Sequence, residues 1–151
     1  MPPTIPDALS VPSFAAYLGH LRAEQILRAL SARTNRTLAA SRVRVVGDGP
    51  LAEALWTALG RLGAHVTAVS DDPRTALRAR LRGLPTLTGA TGADEADHVI
   101  VTGEGHGPLD PATLRGTVID ASFDGTGLRP VDPARAARPG VHPAGAAWVV
   151  E

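Results

Sequence analysis

The stretch that decides the fold is RVRVVGDGPLAEAL, residues 42–55. Three β-branched valines precede the first glycine, which is typical of a buried strand. Gly47 permits a tight turn, and Gly49 lets another backbone or a ligand approach closely. Pro50 fits the first turn of a helix, where its missing N–H group costs nothing. The stretch therefore predicts a strand, a glycine turn and the start of a helix.

The spacing of this turn is G-x-G-x-x-A, with Ala52 in the third place, which matches a dinucleotide-binding fingerprint. The free N–H groups at the start of the helix, together with its dipole, would face a phosphate. The predicted phosphate-binding residues are Gly47, Asp48, Gly49, Pro50 and Leu51. The alternative is a βαβ unit whose glycines only pack the helix against the sheet.

Two later segments supply the rest of the predicted nucleotide site. Ser70 and Asp71 follow a second predicted strand at the distance where a ribose-binding acid is expected. Thr102 and Gly103 end the clearest remaining strand, and loops at the carboxyl ends of parallel strands line the ligand crevice. His106 lies in the loop that follows, and as a lone loop histidine without a visible partner it is expected only to be solvated.

Strands and helical segments alternate along the chain, which predicts an α/β fold. We expect a doubly wound, mainly parallel, Rossmann-like sheet of five or six strands with right-handed crossovers. The predicted strands are 42–46, 65–69, 98–102 and 117–121, with a short strand within 83–87 and an edge strand at 147–150. The predicted helices are 50–62 and 73–82, with a short one capped by Asp110. The predicted helix 50–62 is expected to bury one face, formed by Leu51, Ala54, Leu55, Ala58, Leu59 and Leu62. The four arginines within 74–82 are expected to form a solvated face.

The chain divides into four predicted parts: an irregular segment 1–12, an N-terminal helix within 13–40, the Rossmann-like domain 41–128, and a Pro/Ala-rich tail 129–151. Ser13 would cap the N-terminal helix, which is expected to run to about Leu38. Its apolar stripe comprises Phe14, Tyr17, Leu18, Leu21, Ile26, Leu27 and Leu30. Because this stripe is wider than one sheet face needs, we predict a homodimer through the helix near 14–38. The alternative is packing on its own domain alone.

Composition narrows the partners. Fifteen basic and fifteen acidic side chains balance, so no nucleic acid or anionic membrane is expected as a partner. No stretch approaches the ~20 apolar residues needed to span a bilayer, and the start is not a signal peptide, so the cytoplasm is the predicted location. There is no cysteine, and the five histidines are scattered without ligand spacing, so no metal site is predicted.

Several segments, in this order, resemble the NAD-binding domain of S-adenosylhomocysteine hydrolase. They are RTNRTLA at 33–39, VVGDGPL at 45–51, LGAHVT at 62–67, DPRTAL at 72–77, AD at 96–97 and VIVTG at 99–103. The resemblance runs from about residue 20 to residue 128. It implies a Rossmann fold and NAD as the cofactor, with NADP as the alternative.

The chain also departs from that family. The resemblance places the ribose-binding glutamate at Ser70 and an asparagine of the following helix at Thr75. After the fifth strand the family's asparagine and glycine-histidine pair are replaced by DASF, residues 120–123. The family's substrate domain, which carries the proton-transfer groups, is missing. We therefore expect no S-adenosylhomocysteine hydrolysis by this chain alone.

Two functions remain open from the sequence, and no catalytic residue is assigned in either. In the first, the chain binds NAD(P) or an adenine nucleoside or nucleotide, with oxidoreductase-like chemistry completed by a partner. In the second, it is a non-catalytic relic of the hydrolase domain that serves as a binding or assembly module. Methyl transfer is disfavoured, because the order Gly47-Asp48-Gly49 fits a dinucleotide fold better.

Overall fold

The described part of the protein contains three α-helices and a single sheet. The computed structural model describes residues 10–34, 37–89, 96–130, 141–144 and 147–150. The helices are α1 (Pro12–Thr34), α2 (Pro50–Arg61) and α3 (Pro73–Leu81), with a 3₁₀ helix at Pro111–Thr113. The strands are β1 (Arg42–Val46), β2 (His65–Val69), β3 (Thr86–Leu87), β4 (His98–Val101), β5 (Gly116–Asp120), β6 (Val141–Ala144) and β7 (Ala147–Val150).

The sheet has seven strands in the order β3-β2-β1-β4-β5-β7-β6. Neighbouring strands are parallel except for β6, which runs antiparallel to β7. The predicted mainly parallel α/β fold is confirmed, but the predicted number of strands was too low. The segment 147–150 was wrongly predicted at the edge, because β6 from the Pro/Ala-rich tail pairs with its outer side. Residues 131–140 of that tail lie outside the described part.

The order in which strands are added to the sheet reverses at β1. After β1 the chain adds β2 and β3 on one side, and it then returns to place β4 on the other. Val46 at the end of β1 is level with Val69 of β2 and Val101 of β4. The carboxyl ends of these three strands therefore meet at a topological switch point, where α/β proteins bind ligands.

Both faces of the sheet are apolar, as strands buried on two sides require. Val45, Ile100 and Ile119 pack on the side of the helices. Val99, Val101, Val118, Leu114 and Leu128 belong to a second cluster on the opposite side. There the described chain has the 3₁₀ helix, capped by the predicted Asp110, whose carboxylate accepts from Ala112 N at 2.9 Å.

The predicted buried face of α2 was partly wrong. Leu51, Leu55 and Leu59 are fully buried, but Leu62 is 48% exposed because it lies beyond the last turn as the C-cap. Trp56 is instead 2% exposed, and the Arg82 guanidinium carbon lies 5.6 Å from its ring centroid. The prediction from regular apolar spacing did not include Trp56. This residue is buried because α3 provides a second surface that covers α2.

The helix α1 is buried along only part of its length. It ends at Thr34, before the predicted Leu38, which packs into the core ahead of β1. Ser13 lies within the first turn rather than before it. The predicted apolar stripe divides: Ile26, Leu27 and Leu30 are buried, Leu18 is partly buried, and Phe14, Tyr17 and Leu21 are 38–57% exposed.

Two contacts fix where α1 lies. A Cβ placed on Gly19 would stand 3.0 Å from the carbonyl of Pro50, so α1 crosses closely over the start of α2. Arg22 donates from Nη2 to Ser122 O at 3.0 Å and from Nε to Ala121 O at 3.4 Å, beyond the end of β5. The helix therefore spans from the glycine turn to the opposite side of the switch point.

Candidate nucleotide-binding site

The glycine turn is locked to the end of β4. Gly47 has φ +146°, and a Cβ on it would collide with the Thr102 hydroxyl. That hydroxyl donates to Val46 O at 3.1 Å, and Glu104 N donates to it at 3.3 Å. Glycine is required at position 47 because the threonine takes the place that a side chain would fill. The predicted site residue Thr102 is thus a buried support of the turn.

The start of α2 holds a carboxylate from another part of the chain. Its N-cap, Gly49, offers no side-chain acceptor. Leu51 N and Ala52 N, here called the amide cradle, donate at 3.1 Å each to the two carboxylate oxygens of Glu104. A Cβ on Gly49 would collide with this carboxylate, as would a phosphate placed at the same point.

Glu104 belongs to a loop that lies directly on the glycine turn. This cover loop comprises residues 103–107, after β4. Asp48 N donates to Glu104 O at 3.0 Å, and a Cβ on Gly105 would collide with the Asp48 side chain. Gly103 and Gly105 both have φ +75°, and a Cβ on Gly103 would come within 2.7 Å of Ser122 Cβ. Close approach of two backbones explains why both elements are rich in glycine.

The environment of Glu104 is unfavourable to its charge. Burial raises the pKa of this carboxyl group above the ordinary value of 4.5. The N–H groups of Leu51 and Ala52 act in the opposite direction and partly lower the pKa. The hydrogen bonds at the amide cradle therefore offset part of the energetic cost of desolvating the carboxylate.

The ribose side of the predicted site lies where β2 meets α3. Ser70 is 6% exposed; its hydroxyl accepts from Asp72 N at 3.0 Å and donates to Asp72 O at 3.2 Å. Asp71 is exposed, and its carboxylate accepts from Gly89 N at 2.9 Å. The strand ends at Val69, so Ser70 holds the position directly after β2. Asp71 supplies a carboxylate at the next position, and it is already bound to the Gly89 amide of a neighbouring loop.

These two sides meet in one cleft. Its lining includes Gly47, Asp48, Ser70, Asp71, Gly105 and His106. The free space is about 70 Å³, far below the ~300 Å³ at which ligand pockets begin. Four of the predicted site residues are therefore brought together, but the cover loop leaves little room between them.

Two buried polar atoms in this cleft have no hydrogen-bond partner among the described residues. They are Asp48 Oδ1 and His106 Nε2. His106 Nδ1 lies 2.8 Å from Gly107 O, which can only accept, so the ring proton is on Nδ1. In the neutral ring Nε2 is then an acceptor, like the carboxylate oxygen. The expectation that His106 is only solvated was wrong, because the cover loop folds back onto the turn.

Arginines of the α3 region and Asp120 lie near the site, but they already have partners within the chain. Arg78 and Arg82 of α3 pair with Glu53 at 3.2 and 2.8 Å, and the cleft lining includes no arginine of α3. Asp120 accepts from Ser122 N at 3.0 Å and from Leu128 N at 3.1 Å, which orders the loop after β5. Its carboxylate is thus a structural element of that loop.

Sequence reasoning missed Glu104, which makes the central contact of the site. One signal was available: a helix with glycine at its N-cap and proline next has no capping side chain of its own. Such a helix needs an acceptor from elsewhere. Nothing in the local sequence identified Glu104 as that acceptor, because it lies more than fifty residues away.

Neither a metal site nor a membrane-spanning helix is found in the described ranges. No group of three or more His, Cys, Asp or Glu side chains there could hold a metal ion. The helices described are too short or too polar to cross a membrane.

Comparison with solved structures finds the same fold in several enzymes. The dipicolinate synthase of Bacillus halodurans is 21% identical, with a TM-score of 0.67 over 80% of this chain and 44% of that one. A transhydrogenase from Sinorhizobium meliloti is 18% identical, with a TM-score of 0.64 over 98% and 51%. An L-alanine dehydrogenase is 15% identical, with a TM-score of 0.62 over 95% and 46%.

The chain spans about half the length of these structures. At such identities the likeness establishes a Rossmann-like fold and no more. No protein-family pattern matches the chain, and no curated protein matches it.

Proposed function

We propose that this chain is a nucleotide-binding domain whose ligand is NAD, NADP or another adenine nucleotide. The observation that carries the proposal is the amide cradle, where Leu51 N and Ala52 N hold an anion at the switch point. A helix start that binds a carboxylate is also suited to a phosphate. The neighbours lend support, since a dehydrogenase and a transhydrogenase are among them and hydride transfer commonly uses nicotinamide cofactors.

The residues at the start of α2 have the right chemistry to bind a diphosphate, but Glu104 occupies the position where it would bind. Glycines and free amides are the right groups, yet Glu104 already uses both amides. The free space of about 70 Å³ does not admit a nucleoside. A nucleotide therefore binds only with the cover loop moved away, and we expect weak binding.

The cleft favours a ligand that brings hydroxyl groups. Asp48 Oδ1 and His106 Nε2 are buried acceptors that find no donor in the described chain. A buried acceptor without a donor is costly, and a ribose hydroxyl would supply a donor to Asp48 Oδ1, which belongs to the glycine turn and not to the cover loop that moves away. We place the ribose of an adenine nucleotide beside Ser70 and Asp71 on this ground.

Little discrimination between NAD and NADP is expected. In NAD-selective folds a carboxylate bonds the ribose 2′-hydroxyl and repels a 2′-phosphate. Ser70 carries no charge, and Asp71 is exposed and bound to Gly89 N. NADP should consequently bind about as well as NAD.

The test is a titration of the purified protein with NAD, NADP, adenosine and S-adenosylhomocysteine, followed by NMR of the backbone amides. We expect weak, saturable shifts at Gly47, Asp48 and Leu51 with the dinucleotides. The function is rejected if no ligand shifts these amides while the protein remains folded.

We further propose that the chain is similar to the NAD-binding domain of S-adenosylhomocysteine hydrolase. We assign no catalytic residue, and an oxidoreductase-like reaction would need a partner to complete the site. Turnover of S-adenosylhomocysteine by the purified chain with added NAD would contradict the expectation that it does not hydrolyse this substrate alone.

The second candidate is a non-catalytic binding or assembly module. It is favoured by the exposed apolar residues Phe14, Tyr17 and Leu21 of α1, with Val11 directly before the helix. Contiguous exposed apolar groups usually mark an interface, and we propose a homodimer through this helix. Light scattering at micromolar concentration should give the dimer mass for the parent and the monomer mass for Tyr17→Glu. A monomeric parent would contradict the dimer.

A further inference from the structure

We propose that Glu104 is a competitor built into the chain, whose carboxylate occupies the diphosphate position so that a nucleotide binds only after Glu104 leaves. The inference rests on the proposed function and names the residue that regulates access to its site.

Glu104 imitates a phosphate group in its contacts. Each carboxylate oxygen takes one amide of the cradle, with both distances 3.1 Å. These are the N–H groups that would hold an anionic ligand at a helix start. The carboxylate also fills the open space above Gly49, where a Cβ would collide with it. One set of donors and one space thus serve either Glu104 or a ligand.

Glu104 and a diphosphate exclude each other by charge as well as by volume. Two anions at one pair of amides would repel strongly in a half-buried place. No arginine is among the residues that line the described cleft, so none there offsets this repulsion. Occupation of the cradle is therefore a choice between the two.

The cover loop is built so that Glu104 can be released. Glycines stand on both sides of it, Gly103 and Gly105, each with φ +75°. Residues that tolerate large dihedral changes are suited to act as hinges. The backbone of Glu104 is held by Asp48 N, which donates to its carbonyl at 3.0 Å, and by its own N–H, which donates to Thr102 Oγ1 at 3.3 Å.

Desolvation also favours release of the side chain. Burial raises the pKa of the Glu104 carboxyl group, so its ionised form is less stable at the amide cradle than in water. A ligand that supplies its own charge to the same amides lets the carboxylate return to solvent.

The test uses full-length parent, Glu104→Ala, Glu104→Gln and Asp110→Ala. Asp110→Ala is the matched control, because it removes an equal charge and a helix cap after the same strand, at Ala112 N. Pyrophosphate and NAD are titrated separately. The readouts are the NMR shifts of the Leu51 and Ala52 amides for pyrophosphate and calorimetric affinity for NAD.

We expect both ligands to bind Glu104→Ala at least tenfold more tightly than the parent or Asp110→Ala, with Glu104→Gln in between. Pyrophosphate should shift the Leu51 and Ala52 amides of Glu104→Ala at concentrations that leave the parent unchanged. Should Glu104→Ala fail to fold, the shape-preserving Glu104→Gln decides by the same readouts.

The remaining outcomes separate this inference from the proposed function. If pyrophosphate shifts neither amide in the variants, Glu104 is only a helix cap and the inference is overturned. If NAD binds parent and variants equally, the inference is also overturned but the function stands. If pyrophosphate binds the variants as expected and none of them binds NAD, NADP or adenosine, the competitor is supported and the proposed function fails.

Discussion

The helices α2 and α3 begin alike but are capped in opposite ways. Each follows a strand and has proline as its first residue. Before α3 stands Asp72, whose carboxylate accepts from Arg74 N at 3.3 Å and Thr75 N at 3.0 Å. Before α2 stands Gly49, and its acceptor comes from Glu104. One cap is local, and the other is brought from across the sheet.

The pKa values of the two carboxyl groups are shifted in opposite directions. Hydrogen bonds from Thr75 lower the pKa of Asp72, whereas burial raises the pKa of Glu104. At the local cap the hydrogen bonds outweigh desolvation of the charge, and at the distant cap desolvation outweighs the hydrogen bonds. A glycine at the cap position, with a buried acceptor from a distant loop, indicates a place shaped for an anion that is not the helix's own.

The largest effect should come from filling the space above the amide cradle. Gly49→Leu places a side chain where the Glu104 carboxylate lies and where a diphosphate would bind. We expect NAD affinity to fall by roughly 100-fold, about 2.7 kcal/mol. The free energy of unfolding should fall by about 1–3 kcal/mol through overpacking. Calorimetry and urea denaturation measure the two quantities.

The matched control is Gly60→Leu, at the other end of α2, where a new side chain meets open space. It should leave NAD affinity unchanged. If Gly49→Leu binds NAD as well as the parent does, the glycine turn is structural only, and the contrast between the two helix starts has no functional meaning.

The next effect concerns the turn before α3. Ser70→Glu adds a carboxylate at the position after β2, where it can bond a ribose 2′-hydroxyl and repel a 2′-phosphate. The preference for NAD over NADP, expressed as a difference in binding free energy, should rise by roughly 1–3 kcal/mol. Some stability will be lost with the Ser70–Asp72 bonds, so the ratio is the readout. Ser70→Gln, of equal size without charge, should leave the ratio unchanged.

The pH dependence of stability should have opposite signs at the two caps. The Glu104 pKa is raised, so the parent's stability relative to Glu104→Gln should fall as pH rises above 4.5, the ordinary value, through the folded pKa. The Asp72 pKa is lowered, so stability relative to Asp72→Asn should be complete above 3.8 and be lost as pH falls below it.

Urea denaturation of the parent, Glu104→Gln and Asp72→Asn across both windows tests this contrast. Asp48 and His106 also lie near Glu104, but both are present in parent and variant alike and cancel in the difference. Slopes of equal sign at the two caps would show that burial does not distinguish Glu104 from Asp72.

The smallest effect is expected at the far end of α2. Gly60→Ala meets no neighbouring atom within 4 Å and replaces a flexible helix residue. We expect the free energy of unfolding to rise by about 0.5–1 kcal/mol, with NAD affinity unchanged. A loss of stability would show that Gly60, like Gly49, is needed for close packing.

Local signals predicted much of the fold. The valines around Gly47, the cap at Asp72 and the alternation of strands with helices identified β1, α2, β2 and α3 to within a residue or two. These features depend on neighbours in sequence, so they can be read from it. The positions of Gly47, Asp48, Ser70 and Asp71 around one cleft also followed from where parallel strands end.

What the sequence did not predict depends on tertiary partners. Trp56 is buried because α3 lies beside it, and Leu62 is exposed because α2 ends before it. The strand β6 forms because β7 has a free outer edge. Glu104 reaches the amide cradle only because the switch point brings the end of β4 beside β1. Spacing within one segment carries no information about such partners.

The bond from Arg22 to the loop after β5 has a consequence for synthesis of the chain. Arg22 and Ser122 are 100 residues apart. At the ordinary rate of translation, α1 waits roughly 5–20 s for that anchor after it has left the ribosome. It can meet α2 earlier, through Gly19, but its apolar residues Ile26 and Leu30 lack the sheet until β4 and β5 are made. During this interval α1 is the segment of the nascent chain that needs protection from aggregation.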